Sequence, residues 1–383
     1  MTVTAPAGFR AAGVAAGLKS SGDPDVALVV NDGPDDVAAA VFTTNRFPAA
    51  PVLWSRQVLA GNRLRAVVLN SGGANACTGP EGFADTHATA EHVAGELGIG
   101  AIDVAVASTG LIGVRLPMAQ LLAGVTDAAA ALSADGGADA ARAIMTTDSV
   151  PKTTVQAGEG WTIGGMAKGA GMLAPSLATM LVVLTTDAVV DAAVLEPALR
   201  AATAASFERV DSDGCLSTND TVVVLANGAS GVTPGAEELT AALTAAATDL
   251  AMQLLADAEG STKDIAITVR GAASVADALT AGRACARNNL LKTALFGNDP
   301  NWGRVLAAIG TTDAAFEADR VDVTINGVTV CRGGAIGDPR EGVDLTGRAV
   351  TIDVDLGAGA EQATIWTNDL SIAYVHENSA YST

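Results

Sequence analysis

Five short stretches of the chain are apolar at every position and rich in branched residues: Val26 to Val30, Ala66 to Leu69, Val104 to Ala107, Leu181 to Leu184 and Val222 to Leu225. Such unbroken apolarity predicts strands covered on both faces, because a strand with one wet face alternates polar and apolar side chains. Between them lie Ala/Leu-rich stretches of helical length: His87 to Leu97, Met118 to Leu132, Ala192 to Ala205 and Glu237 to Ala258. The last carries acidic residues early and apolar ones at helical spacing, which suits the helix dipole and buries one face. Ala128 to Ala143, with Gly136-Gly137 inside, reads as two helices joined by a loop. From Arg320 onward the pattern changes to hairpin strands, Val321 to Ile325 and Val328 to Cys331, joined at Asn326-Gly327, the strongest two-residue turn signal. Ala349 to Leu356 and Ala363 to Thr367 read as further strands. The fold class expected is mixed α/β (α+β), with helices covering sheets and a strand-rich C-terminal part. No internal repeat is visible, and no linker marks a structural domain boundary.

The 383 residues supply material for one large or two smaller lobes. With 42 Asp+Glu against 22 Lys+Arg, the net charge is −20 and no basic cluster occurs, which argues against a nucleic-acid or anionic-membrane surface. The N-terminus lacks a basic segment followed by an apolar one, and no uninterrupted apolar run approaches about 18 residues, so a cytoplasmic protein is expected. Cys77, Cys215, Cys285 and Cys331 have no C-x-x-C spacing, which points to reduced, mostly buried thiols rather than zinc ligands. His87 and His92 are five apart, not the four of a metal-binding helix face, and with His376 read as solvated; no metal site is expected. Asp211 to Gly214 reads as a turn and the glycine-rich Asn70 to Gly79 as a tight loop, since it lacks the lysine and spacing of a phosphate cradle.

The most informative segment is Lys168-Gly169-Ala170-Gly171-Met172-Leu173-Ala174-Pro175-Ser176-Leu177-Ala178-Thr179-Met180-Leu181. Glycines, a proline and small residues make an irregular loop, and an apolar strand begins abruptly at Thr179. A small residue followed by Thr at such a junction suits a self-cleaving nucleophile, whose hydroxyl must reach the carbonyl just before it. Cleavage would free an α-amine with an ordinary pKa of about 7.7–8.0, able to serve as base for its own hydroxyl. The same pattern also fits an ordinary strand start, and the residues alone leave both open.

This run resembles the cleavage-site signature of the ornithine acetyltransferase (glutamate N-acetyltransferase) family, self-cleaving enzymes of arginine biosynthesis. The similarity extends along nearly the whole chain, through Thr4 to Phe9, Asn70 to Gly79, Ser108 to Gly113, Met145 to Asp148, Ser217 to Thr221, Asp257 to Gly260, Lys292 to Ala294, Asp299 to Arg304 and Glu377 to Tyr381. The resemblance implies a layered helix-sheet-sheet-helix sandwich. It implies cleavage between Ala178 and Thr179 into an α chain, 1–178, and a β chain, 179–383, remaining together as a heterotetramer of two of each. It further implies Thr179 as nucleophile, Thr109 and Gly110 as the oxyanion hole, and substrate binding by Thr146, Lys168, Thr179, Glu259, Asn378 and Thr383. The glycines flanking Lys168 suggest a loop in which its side chain folds inward. The implied reaction moves acetyl from N2-acetylornithine to glutamate through an acetyl-threonine and needs no cofactor; whether acetyl-CoA is also a donor stays open. Because acetylornithine ends in an ammonium and glutamate in a carboxylate, a pocket with both Lys168 and Glu259 suits the pair. The alternative is a self-cleaving threonine amidohydrolase or aminopeptidase in which water replaces glutamate; a processed but silent binding protein is a third, disfavoured by the intact motifs.

Overall fold

The computed structural model describes residues 2–174 and 180–380. Up to residue 174 the chain forms strands β1 (Phe9–Val14), β2 (Val26–Asn31) and β3 (Val37–Phe42), then helix α1 (Ala50–Val58), β4 (Ala66–Ser71), α2 (Gly79–Leu97) and β5 (Val104–Thr109). Helices α3 (Met118–Ala130) and α4 (Gly137–Ala143) precede the hairpin of β6 (Lys152–Ala157) and β7 (Thr162–Lys168). From residue 180 come β8 (Leu181–Thr186), α5 (Ala192–Ala205), β9 (Thr221–Ala226), α6 (Ala236–Ala256) and β10 (Asp264–Ala272). Three helices follow, α7 (Val275–Ala286), α8 (Asn289–Phe296) and α9 (Trp302–Ile309), and then β11 (Asp322–Ile325), β12 (Val328–Arg332), β13 (Ala335–Ile336), β14 (Ala349–Asp355), β15 (Glu361–Asn368) and α10 (Ile372–Ala380).

The apolar runs become the buried centres of two facing sheets. The first has the order β1-β2-β4-β5 and the second β3-β9-β8-β7-β6. Strands β2, β4, β5, β8 and β9 are buried at every position, as continuous apolarity demands. The parallel neighbours β4 and β5 are joined through α2, and β8 and β9 through α5, because a parallel pair needs a crossover. Leu28 and Val68 of the first sheet share a core with Val183 and Leu225 of the second, while Val182, Leu184 and Val224 point the other way onto α5 and α6. Helices α1 and α2 lie against β5 and α3 against β2, so the layers run helix, sheet, sheet, helix, as the resemblance implies. The free edge of β5 is covered: Trp54 Nε1 donates to Val104 O at 3.0 Å and Ser55 Oγ to Val106 O at 2.7 Å. Helix α6 is long and apolar enough to match a membrane span, but Leu239, Leu243, Leu250 and Leu254 lie in the core on the second sheet.

The third sheet, β13-β12-β11-β14-β10-β15, has one covered face: buried positions alternate along β10, β11 and β14 and pack with α7 and α9. Asn326 and Gly327 have φ of 43° and 83°, the paired left-handed backbone of a hairpin turn between Ile325 and Val328. The cysteines depart from expectation, since Cys77 and Cys215 sit on exposed loops and only Cys285 and Cys331 are buried.

Candidate active site

At one end of the sandwich the C-terminal ends of β5 and β7 meet the loop before β6 and the segment entering β9. Thr109, Gly110, Thr146 and Lys168 come together there with Glu259 after α6 and Asn378 on α10, lining one cavity. Ala178, Thr179 and Thr383 lie outside the described residues.

Lys168 is not in a loop, as its flanking glycines suggest, but is the last residue of β7, paired with Leu181 of β8. Nor is burial exceptional for lysine here: of five in the chain, Lys152, Lys168, Lys263 and Lys292 are all buried. Lys168 Nζ donates to Thr109 Oγ1 at 3.1 Å. An ammonium has no acceptor, so the hydroxyl must accept, and its own proton is left to donate elsewhere. Burial pulls the Lys168 pKa down and Lys152 adds to the fall, while Asp148, Glu259 and Asp220 oppose it.

Gly110 follows with φ of +127°, and a Cβ on it would fall 2.6 Å from Gly73 N and 2.8 Å from Gly72 C. Glycine is therefore required where the loop after β4 crosses the end of β5. That crossing is held by Gly73 N–H to Thr109 O and Ala74 N–H to Leu111 O, both at 3.0 Å.

Glu259 is reached by another glycine. A Cβ at Gly171 would lie 2.8 Å from Glu259 Oε2, so the bare backbone makes room for the carboxylate. Thr147 Oγ1 donates to Glu259 Oε1 at 2.6 Å, and Glu259 N–H to Ala170 O at 3.0 Å. Gly260 does the same for the C-terminal helix: a Cβ there would come within 2.2 Å of Tyr374 N, so α10 packs close and brings Asn378 to the cavity. The Asn378 carboxamide itself donates back to Tyr374 O at 3.0 Å.

Within the segments Ser217 to Thr221 and Met145 to Asp148, only Thr146 carries a role expected from the resemblance. Asn219 Nδ2 ties the site together by donating to Ala74 O at 2.6 Å and Ser108 O at 2.8 Å. Asp148 accepts from Gly169 N–H, Thr146 N–H and Lys152 Nζ. Asp220 is fully buried; its Oδ1 accepts Met180 N–H at 3.2 Å and its Oδ2 has no hydrogen-bond partner among the described residues. Burial raises its pKa well above the ordinary carboxyl value, only partly offset by the Met180 N–H and the Lys168 charge. Among the described residues no three His, Cys, Asp or Glu side chains gather as metal ligands.

The ArgJ family model matches residues 10–383. The arginine biosynthesis bifunctional protein ArgJ of Streptomyces avermitilis is 65% identical over 382 residues, covering 100% of both chains. Its namesake in Thermobifida fusca is 63% identical over 383 residues, again covering 100% of both. A crystal structure of ornithine acetyltransferase complexed with ornithine, from Mycobacterium tuberculosis, is 63% identical over 47% of this chain and 96% of that one, with a TM-score of 0.45.

Proposed function

The chain belongs to the ArgJ family, and from that premise we propose that it transfers the acetyl group of N2-acetylornithine to glutamate through an ester on Thr179, accepting acetyl-CoA as a second donor in arginine biosynthesis. The observation that carries this reading is the cavity itself, in which Thr109 and Gly110 stand beside buried Lys168 and across from Glu259. The reaction begins with the chain's own cleavage at Ala178-Thr179, after which the Thr179 amine takes the proton of its hydroxyl. The hydroxyl oxygen attacks the acetyl carbonyl, and the developing oxyanion is met by the free O–H proton of Thr109 and the backbone beside Gly110. The proton passes to the departing nitrogen, ornithine leaves, and the glutamate amine then takes the acetyl group from the ester. Lys168 supplies a cation for substrate carboxylate, and Glu259 an anion for the ornithine ammonium. A cavity offering both charges favours transfer between two amino acids over a hydrolase that would need only water.

Cleavage would leave the halves associated because it divides the strands of one sheet between them. The second sheet interleaves β3, β7 and β6 from before residue 178 with β9 and β8 from after it. Two antiparallel seams, β3 with β9 and β7 with β8, would join the α and β chains. Pairing two such units gives the heterotetramer.

The test is Thr179→Ala. The wild-type chain resolves into two fragments on denaturing electrophoresis and the variant stays whole. Acetylornithine without glutamate adds one acetyl group to the fragment beginning at Thr179, seen by intact mass. Two fragments from the alanine variant, or an unacetylated wild-type fragment with ornithine still released, would sink the mechanism.

A further inference from the structure

Lys152 is fully buried on β6 and makes two ion pairs, to Asp148 Oδ1 and to Asp257 Oδ2, each at 2.6 Å. Two buried charges, Lys152 and Asp148, beside the partly buried Asp257 are costly, and a triad of this kind persists only when its remaining lone pairs are bonded. They are bonded here, and to segments that carry the cavity. Asp148 Oδ1 also accepts Gly169 N–H at 2.7 Å, directly after Lys168, and Oδ2 accepts Thr146 N–H at 3.0 Å. Asp257, two residues before Glu259, accepts Ser149 N–H at 3.0 Å together with the Ser149 hydroxyl. One triad thus joins the loop of Thr146 and Thr147, the end of β7 and the end of α6.

We propose that Asp148 is a positioning residue, which fixes the end of β7 through Gly169 and holds its carboxylate beside Lys168, whose Nζ meets Thr109 at the cavity. The charged groups facing Lys168 are Asp148 before β6, Lys152 on β6, Glu259 after α6 and Asp220 before β9, and Asp148 supplies the largest attraction among them. Asp148 is itself held below the ordinary carboxyl range: burial raises its pKa, but Lys168, Lys152 and the Thr146 N–H outweigh it. Lys19, between β1 and β2, lies within the field of the same carboxylate. Asp257 has no comparable part in the Lys168 charge, so the two carboxylates of the triad separate the mechanical role from the electrostatic one. The inference rests on the acetyl-transfer reading for its consequence in turnover, but not for its test.

With only five lysines in the chain, ε-15N-labelled lysine gives a small set of side-chain signals, and Lys168→Arg identifies the one of interest. Asp148→Asn should lower the titration midpoint of that signal by about one pH unit or more, while Asp257→Asn leaves it in place. In turnover, Asp148→Asn should raise KM for acetylornithine progressively above the lowered midpoint, and Asp257→Asn should lower activity equally at all pH. Should the asparagine chain fail to accumulate, Asp148→Ser, which leaves room for a water on Gly169 N–H, is measured the same way. An unmoved midpoint in the folded Asp148 variant, or an equal shift in both variants, overturns the proposal. A wild-type chain that titrates as described but transfers no acetyl group would refute the acetyl-transfer reading alone.

Discussion

Replacing Gly110 by alanine would put a methyl group 2.6 Å from Gly73 N and 2.8 Å from Gly72 C, on a residue whose φ is +127°. Both neighbours are backbone atoms, so no side chain can swing aside. Relief requires the loop after β4 to move away from the end of β5, and the loop is pinned there by Gly73 N–H to Thr109 O and Ala74 N–H to Leu111 O at 3.0 Å. Glycine-only backbone costs about 1–3 kcal/mol for another residue, and each hydrogen bond given up about 1 kcal/mol more. The sum, about 3–5 kcal/mol, leaves a chain of this size folded while displacing the backbone proposed to meet the oxyanion. A shift approaching 1 Å at a reacting centre costs about 100-fold in rate, and that loss is expected in kcat with KM little changed. The assay is acetyl transfer from acetylornithine to glutamate, on protein shown to be in two fragments. Gly113→Ala is the control: its φ is +82°, but nothing lies within 4 Å of a Cβ, and its N–H bond to Ala76 O at 2.9 Å can persist. It should lose about 1–2 kcal/mol of stability and turn over normally. Gly110→Ala transferring acetyl within about threefold of wild type, or Gly113→Ala being equally damaged, would refute the steric argument.

Two other outcomes are expected. Thr109→Ala should lower kcat by about two to three powers of ten, since it removes the proposed oxyanion donor and a partner of Lys168 Nζ; normal turnover in the processed variant would overturn that role for Thr109. Asp220→Asn should melt a few degrees higher at pH 8. A carboxyl whose pKa is raised on folding binds more protons folded than unfolded, so stability falls as pH rises from the ordinary value near 3.8 through the raised one, and an amide escapes that loss. The difference should vanish near pH 4; a variant less stable at pH 8 would mean that the ionised carboxylate has a favourable partner.

Much of the sandwich was legible along the chain because its central strands announce themselves locally. Val222 to Leu225 is wet on neither face, and Ala192 to Ala205 forms a helix with the predicted bounds. Strand β7 was not legible, because Gly164 and Gly165 imitate a loop; they are glycines because Thr2 O and Leu184 press to 2.4 and 2.8 Å of where their Cβ atoms would be. The first turns of α2 were hidden the same way, since Gly79-Pro80 looks like a loop although proline fits the first turn of a helix.

The chain by itself therefore determined the strand and helix centres and the Asn326-Gly327 hairpin, and through resemblance it pointed to Thr109, Gly110, Thr146, Lys168, Glu259 and Asn378, which line one cavity. Tertiary structure alone decided which charges are buried and what they face. Lys152, Asp148 and Asp257 look like three ordinary polar residues until β6 is laid against the end of α6. Lys168 and Thr109 share no local pattern until two sheets meet at the ends of β7 and β5. Periodicity records which side of a segment is apolar, a choice made within a few residues. The protonation and reach of an ionisable side chain depend on the dielectric and the charges around it, and those neighbours arrive from distant parts of the chain.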